Sequence, residues 1–127
     1  MDWITDLIAL GDFEDSRDPE DVDAVLNVAA EVEVLHGLPC LHLKIEDQQP
    51  IIRRDLKLAL GFLSDRTAVG HRVLVHCWAG GSRLPAILSA YFAMTAALSV
   101  DDALKMIQKK RPIADPDPVV WQSIREA

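Results

Sequence analysis

Residues 73–88, Val-Leu-Val-His-Cys-Trp-Ala-Gly-Gly-Ser-Arg-Leu-Pro-Ala-Ile-Leu, constrain the chain more than any other stretch. Val73 to Val75 is an apolar, largely β-branched run and predicts a buried strand. The run breaks at Cys77, and the small residues Ala79, Gly80, Gly81 and Ser82 make a tight loop closed by Arg83. Pro85 suits the first turn of a helix, and Ala86, Ile87, Ala90, Tyr91 and Met94 continue a helical pattern to about residue 98. Strand, glycine-rich loop and helix together aim backbone N–H groups and a helix N-terminus into the loop, which makes an anion cradle. In an open α/β sheet such a loop lies at the carboxyl end of a central strand.

Cys77 sits at the base of that cradle. A helix N-terminus, converging amides and a nearby guanidinium all favour a thiolate. Arg83, six residues on, carries a planar fork that can grip two oxygens of one phosphate. The chemistry implied is attack of sulfur on phosphorus, with the equatorial oxygens held by Arg83 and the loop amides. A lone Cys-x5-Arg is equally a buried cysteine beside a turn. The agreement of His76, two glycines, Ser82, the strand before and the helix after favours the cradle.

The run His76-Cys77-Trp78-Ala79-Gly80-Gly81-Ser82-Arg83 resembles the phosphate-binding loop of the cysteine-based protein tyrosine phosphatases, of the compact dual-specificity group. The resemblance implies Cys77 as nucleophile, a phosphocysteine intermediate, and phosphoryl oxygens held by Arg83 and by the backbone of Trp78, Ala79, Gly80, Gly81 and Ser82. It implies that His76 bonds backbone and tunes the sulfur, and that Ser82 donates to the loop or the sulfur. It also implies that Asn27, in Val-Leu-Asn-Val-Ala, braces the phosphate loop; read alone, Asn27 bonds its own turn. No metal and no cofactor are expected. One residue departs from the pattern: Leu84 stands where the family has Ser or Thr, whose hydroxyl helps the sulfur leave.

Expelling an alkoxide or phenoxide needs a proton donor over the cradle. Asp47 follows a strand on a loop, as the acid of the resembling family does. Glu46 is its nearest rival, and Asp55 and Asp65 fall inside a helical pattern.

The remaining chain fits the same class. Residues 3–10 read as one or two short strands ended by Gly11. Residues 12–23 are an acidic loop with one helical turn after Asp18-Pro19; their spacing does not match a calcium loop. Strands follow over 22–29 and 38–45, then a helix from Pro50 to about Val69 opened by Arg53 and Arg54, which either stay solvated or border the cleft. Ser99 starts a helix to about Lys110, whose closing Lys109, Lys110 and Arg111 suit a helix C-terminus. Asp117-Pro118 starts a last helix. The expected fold is one α/β domain over 1–127: a central, mostly parallel sheet of four or five strands, flanked by helices and phosphotyrosine phosphatase-like.

Thirteen basic against twenty acidic residues give a net charge of −7, which argues against nucleic acid as a main partner and against an anionic membrane. The acidic N-terminus lacks the basic region of a signal peptide, and two cysteines suit a reducing, cytoplasmic setting. Cys40 as a disulfide partner of Cys77 stays open at this point. The expected activity is phosphomonoester hydrolysis on a phosphorylated protein. The alternatives are a phosphate-binding pseudophosphatase or docking module, a phosphatase for phosphoinositide or RNA phosphate, and a rhodanese-type sulfurtransferase, which needs no acid near Asp47.

Overall fold

A computed structural model describes residues 1–34, 36–79 and 81–126. Five strands form one sheet: β1 (Asp2–Trp3), β2 (Ile8–Gly11), β3 (Ala24–Asn27), β4 (Cys40–His42) and β5 (Val73–His76). Their spatial order is β1-β2-β5-β3-β4; among the described residues only the β1–β2 pair is antiparallel. Five helices accompany them: α1 (Phe13–Arg17), α2 (Arg53–Ala68), α3 (Arg83–Ala96), α4 (Val100–Lys110) and α5 (Pro118–Arg125). The α/β class and the mostly parallel sheet are as expected.

Strand β5 is central because both its neighbours pair with it along its full length, and all four of its residues are buried. A strand covered on both faces reads as a continuous apolar run, and Val73-Leu74-Val75 is one. Ile8, Leu10, Leu26, Val73 and Val75 face the main core, where Leu56, Ala59 and Leu63 of α2 and Leu84, Ile87 and Leu88 of α3 also lie. The other face is thinner. Ala9, Val25 and Leu74 lie there under Trp3, Val22, Leu38 and Cys40, with the Arg72 guanidinium 4.4 Å from the Trp3 ring centre. The helices are thus unevenly shared. Asp15 of α1 lies against Gly11 on the thin face, and a Cβ built on Gly11 would meet the Asp15 Cβ at 2.8 Å.

Several expected boundaries move, each for a hydrogen-bonding reason. The helical turn precedes Asp18-Pro19: Asp12 caps α1 through Asp15 N–H while Asp15 caps back to Asp12 N–H, a reciprocal box. Gly11 belongs to β2 rather than ending it. The strand expected over 22–29 shortens because the Asn27 side chain captures Ala29 N–H and Val32 carbonyl and turns the chain. The strand expected over 38–45 ends at His42, after which the Ile45 carbonyl accepts from Ala30 N–H and Arg83. Pro50 to Ile52 stay extended before α2, with Ile51 N–H on the Ser123 hydroxyl.

Cys40 and Cys77 do not meet. They belong to opposite faces of the sheet, and β3 lies between β4 and β5. Two strand spacings alone put them about 10 Å apart, beyond the ~7 Å Cα limit for a disulfide. Both thiols are free, and burial raises the Cys40 pKa.

His76 ends β5 at 1% exposure, with its Nδ1 buried and unpartnered among the described residues. Burial pushes its pKa down to about 4. Above pH ~6.5 the imidazole is neutral in both folded and unfolded chains. Below that, the unfolded chain binds a proton that the folded chain refuses, so stability is lost as pH falls towards 4. The depression corresponds to roughly 3 kcal/mol once pH drops below both values. Denaturant unfolding between pH 7 and 5 should show stability declining with acid, and His76→Asn should flatten that slope; an unchanged slope would refute the assignment.

Candidate active site

The loop after β5 and the start of α3 form the floor of a cleft of ≈ 230 Å³. Cys77, Trp78, Ala79, Gly81, Ser82 and Arg83 line it from the loop. Glu31, Asp47, Ile113 and Asp115 line it from three other segments. Six of the seven residues expected in the loop constellation from Cys77 to Arg83 therefore share one cavity, with Asp47 on its wall; Gly80 lies outside the described residues. Helix α3 begins at Arg83 with no acidic residue in its first turn and no side-chain cap. Its leading N–H groups remain available to an anion.

Arg83 is 3% exposed. Its Nη1 and Nη2 donate to the two Glu31 carboxylate oxygens at 2.6 Å each, and Nη1 also donates to the Ile45 carbonyl at 3.0 Å. A guanidinium has five N–H donors. Glu31 takes the end-on pair and Ile45 takes the remaining Nη1 proton. What is left is Nε–H, buried without a partner among the described residues, beside the second Nη2 proton. Those two are parallel, so the edge still free is a second bidentate fork for an oxyanion. Burial opposes the charge on Arg83, but hydrogen bonding to Glu31, then the charges of Cys77, Glu31 and Asp47, raise its pKa overall. Glu31 responds in kind: its hydrogen bonds from Arg83 hold its carboxyl below the usual range against partial burial.

Cys77 is 2% exposed, at the bottom of the cleft. Asp47 is exposed at the rim, its Oδ1 accepting only from Gln48 N–H among the described residues. Trp78 is 53% exposed and stacks on Phe13 with centroids 5.1 Å apart, while its carbonyl accepts from Phe13 N–H. The Ser82 hydroxyl accepts from Asp117 N–H at 2.9 Å, and the Gly81 carbonyl accepts from Asp115 N–H at 2.6 Å. A Cβ on Gly81 would approach the Ile113 carbonyl to 3.3 Å, so a glycine lets the 113–115 segment close on the loop. Asn27 braces the turn that carries Glu31; no bond from it to the phosphate loop is present among the described residues. Arg53 and Arg54 do not line the cleft, and Arg54 lies in a separate hollow with Lys44 and Asp55.

Three participants were not visible as such in the sequence. Glu31 lay in an unremarkable Glu-x-Glu loop. Asp115 lay between the helix ending near Lys110 and the one started by Asp117-Pro118, with no role assigned to it. Arg111, read as a helix-end charge, is 5% exposed and donates to the Asp2 carboxylate at 2.8 Å and to the Ala79 carbonyl of the loop at 3.3 Å. A buried arginine on a loop carbonyl fixes the loop's shape.

A dual specificity phosphatase catalytic-domain family model matches residues 11–127. The chain belongs to that family. It is 28% identical over 124 residues to mouse dual specificity protein phosphatase 15, covering 92% of this chain and 53% of the relative. It spans about half the length of the curated relatives it matches first. The crystal structure of DUSP15 superposes with a TM-score of 0.90 at 26% identity, covering 98% of this chain and 84% of that one. Human DUSP28 superposes at 0.91 with 22% identity, over 99% and 94% of the two chains, which shows a shared fold.

Replacing Glu31 by alanine should leave the Arg83 charge with one carbonyl partner. Because Glu31 is about half exposed, the expected cost is about 1–2 kcal/mol of stability, below that of a fully buried pair. Oxyanion binding should also weaken as the fork loses its orientation. Calorimetric titration with tungstate checks this; wild-type affinity in Glu31→Ala would show that Glu31 does not position Arg83.

Proposed function

We propose that this domain hydrolyses phosphomonoesters on protein phosphotyrosine, phosphoserine or phosphothreonine through a phosphocysteine. The observation that carries the reading is the free edge of Arg83: two donors of a buried guanidinium without a partner among the described residues, in the same cleft as the Cys77 sulfur. A phosphoryl group offers two oxygens to that fork and others to the amides at the head of α3.

In the first step the Cys77 sulfur attacks phosphorus, the ester P–O bond breaks, and Asp47 gives its proton to the departing oxygen. In the second, water attacks phosphorus, Asp47 takes the water proton, and the S–P bond breaks to return Cys77 and release inorganic phosphate. Asp47 lines the cleft and is exposed, which supports this role, because an exposed carboxyl exchanges protons with solvent. Leu84 is fully buried and offers no hydroxyl to the departing sulfur. The Ser82 hydroxyl accepts from Asp117 N–H and retains its proton and one lone pair, but it precedes Arg83 rather than following it. Breakdown of the phosphoenzyme is therefore the slow step.

Rapid-quench kinetics with p-nitrophenyl phosphate test both parts. Wild type should release one nitrophenolate per chain in a burst, followed by a slower steady rate. Cys77→Ser should lose burst and turnover by about 10³-fold or more while still binding tungstate. Wild-type turnover in Cys77→Ser would refute the mechanism, and turnover without a burst would refute the role given to Leu84.

A further inference from the structure

The phosphate cleft has a neighbour. A second hollow of ≈ 410 Å³ shares Glu31 and Asp47 with it and is otherwise lined by Ala30 and Glu46. Three of its four lining side chains are carboxylates. Asp115 adds a fourth on the wall of the cleft itself. Arg83 is the only cation lining either cavity among the described residues, and its charge is already met by Glu31. Glu46, Asp47 and Asp115 form no ion pair among the described residues. The cleft nevertheless demands one anion, because the buried Arg83 Nε has no partner among the described residues. On the loop's own lip stands Trp78, half exposed on its Phe13 support, an aromatic face open to a cationic or aliphatic side chain.

We propose that the site selects phosphoresidues flanked by lysine or arginine: the phosphoryl group binds Arg83, and a neighbouring cationic side chain enters the hollow of Glu46 and Asp47. This deepens the phosphatase reading and rests on it. Residues of an extended peptide advance about 3.3–3.6 Å each, so a lysine one or two positions from the phosphoresidue spans from one cavity to the next. A substrate with several phosphates must instead hold its extra charge beside four carboxylates. Like charges brought together at a site cost affinity and exclude the wrong partner. The chain's net charge of −7 opposes the approach of any polyanion from further away. Phosphoinositides and phosphorylated RNA are thereby disfavoured, although the cradle itself accommodates their phosphate.

The test compares kcat/KM for two phosphotyrosine peptides of the same core, one with flanking lysines and one with flanking glutamates. p-Nitrophenyl phosphate, phosphatidylcholine vesicles carrying a phosphatidylinositol monophosphate, and a 5′-phosphorylated oligoribonucleotide run beside them. The lysine peptide should lead the glutamate peptide by about tenfold, two or three partly screened charge contacts together, and the ratio should shrink as salt rises. Glu46→Lys should bring the ratio close to one. Asp65→Lys makes the same charge change on exposed α2 surface about 16 Å along the helix from Arg54, and should leave the ratio intact. Equal rates on the two peptides, an unchanged ratio in Glu46→Lys, or faster turnover of the lipid or RNA would overturn the proposal. Hydrolysis of p-nitrophenyl phosphate without peptide preference sinks charge selection alone. No hydrolysis of any substrate sinks the phosphatase reading with it.

Discussion

A guanidinium buried to 3% exposure survives in this fold because one carboxylate meets it head-on. An unpaired charge at that depth would cost several kcal/mol, roughly what breaking a buried pair costs. Glu31, half exposed itself, offsets about 1–2 kcal/mol of that penalty and, by occupying the end of the fork, dictates which edge faces the cleft. The constraint spreads outward. Glu31 sits on the turn after β3, and that turn keeps its shape through the Asn27 side chain. The second partner of Arg83 is the Ile45 carbonyl, which fixes how the chain leaves β4 just before Asp47. One ion pair therefore sets the placement of two loops that line the cavity.

The phosphate loop is held from the other side by residues remote in sequence. Arg111 ties the Ala79 carbonyl to Asp2 of the edge strand β1. Asp115 and Asp117 bind Gly81 and Ser82 through backbone N–H groups. Phe13 supports Trp78 from α1. A loop that must present several amides at once gains from such bracing, since donors already in place need no reorganisation when charge arrives. The same bracing lines the cleft with acids, so the geometry that serves one phosphate also repels a crowd of them.

The strand, loop and helix of 73–96 were legible because their signal is local: an apolar run, small residues and a helical period lie within one stretch. The parallel sheet followed from the order of elements. What escaped the sequence depends on contacts across the fold. Glu31 and Arg83 are 52 residues apart, and nothing around Glu31 distinguishes it from Glu33. Arg111 looked like an ordinary cation on a helix end because Lys109 and Lys110 beside it are such cations. The strand ends were misplaced because apolar Val28, Ala29, Leu43 and Ile45 are buried as expected but lie past the strands: Val28 and Leu43 N–H still reach the neighbouring strands, whereas the Asn27 side chain takes Ala29 N–H and the Ile45 carbonyl accepts from Ala30 and Arg83. The capping box of Asp12 and Asp15 was readable in principle, hidden in a run of acids that looked like solvated loop.

The Cys77 sulfur and the free edge of Arg83 share one oxyanion site. Alkylation by iodoacetate at neutral pH, followed residue by residue by mass spectrometry with and without inorganic phosphate, tests it most directly, with Cys40 as the internal reference. Cys77 should react readily and phosphate should slow that reaction while leaving Cys40 unaffected. A Cys77 that reacts no faster than Cys40, at a rate indifferent to phosphate, would contradict the account.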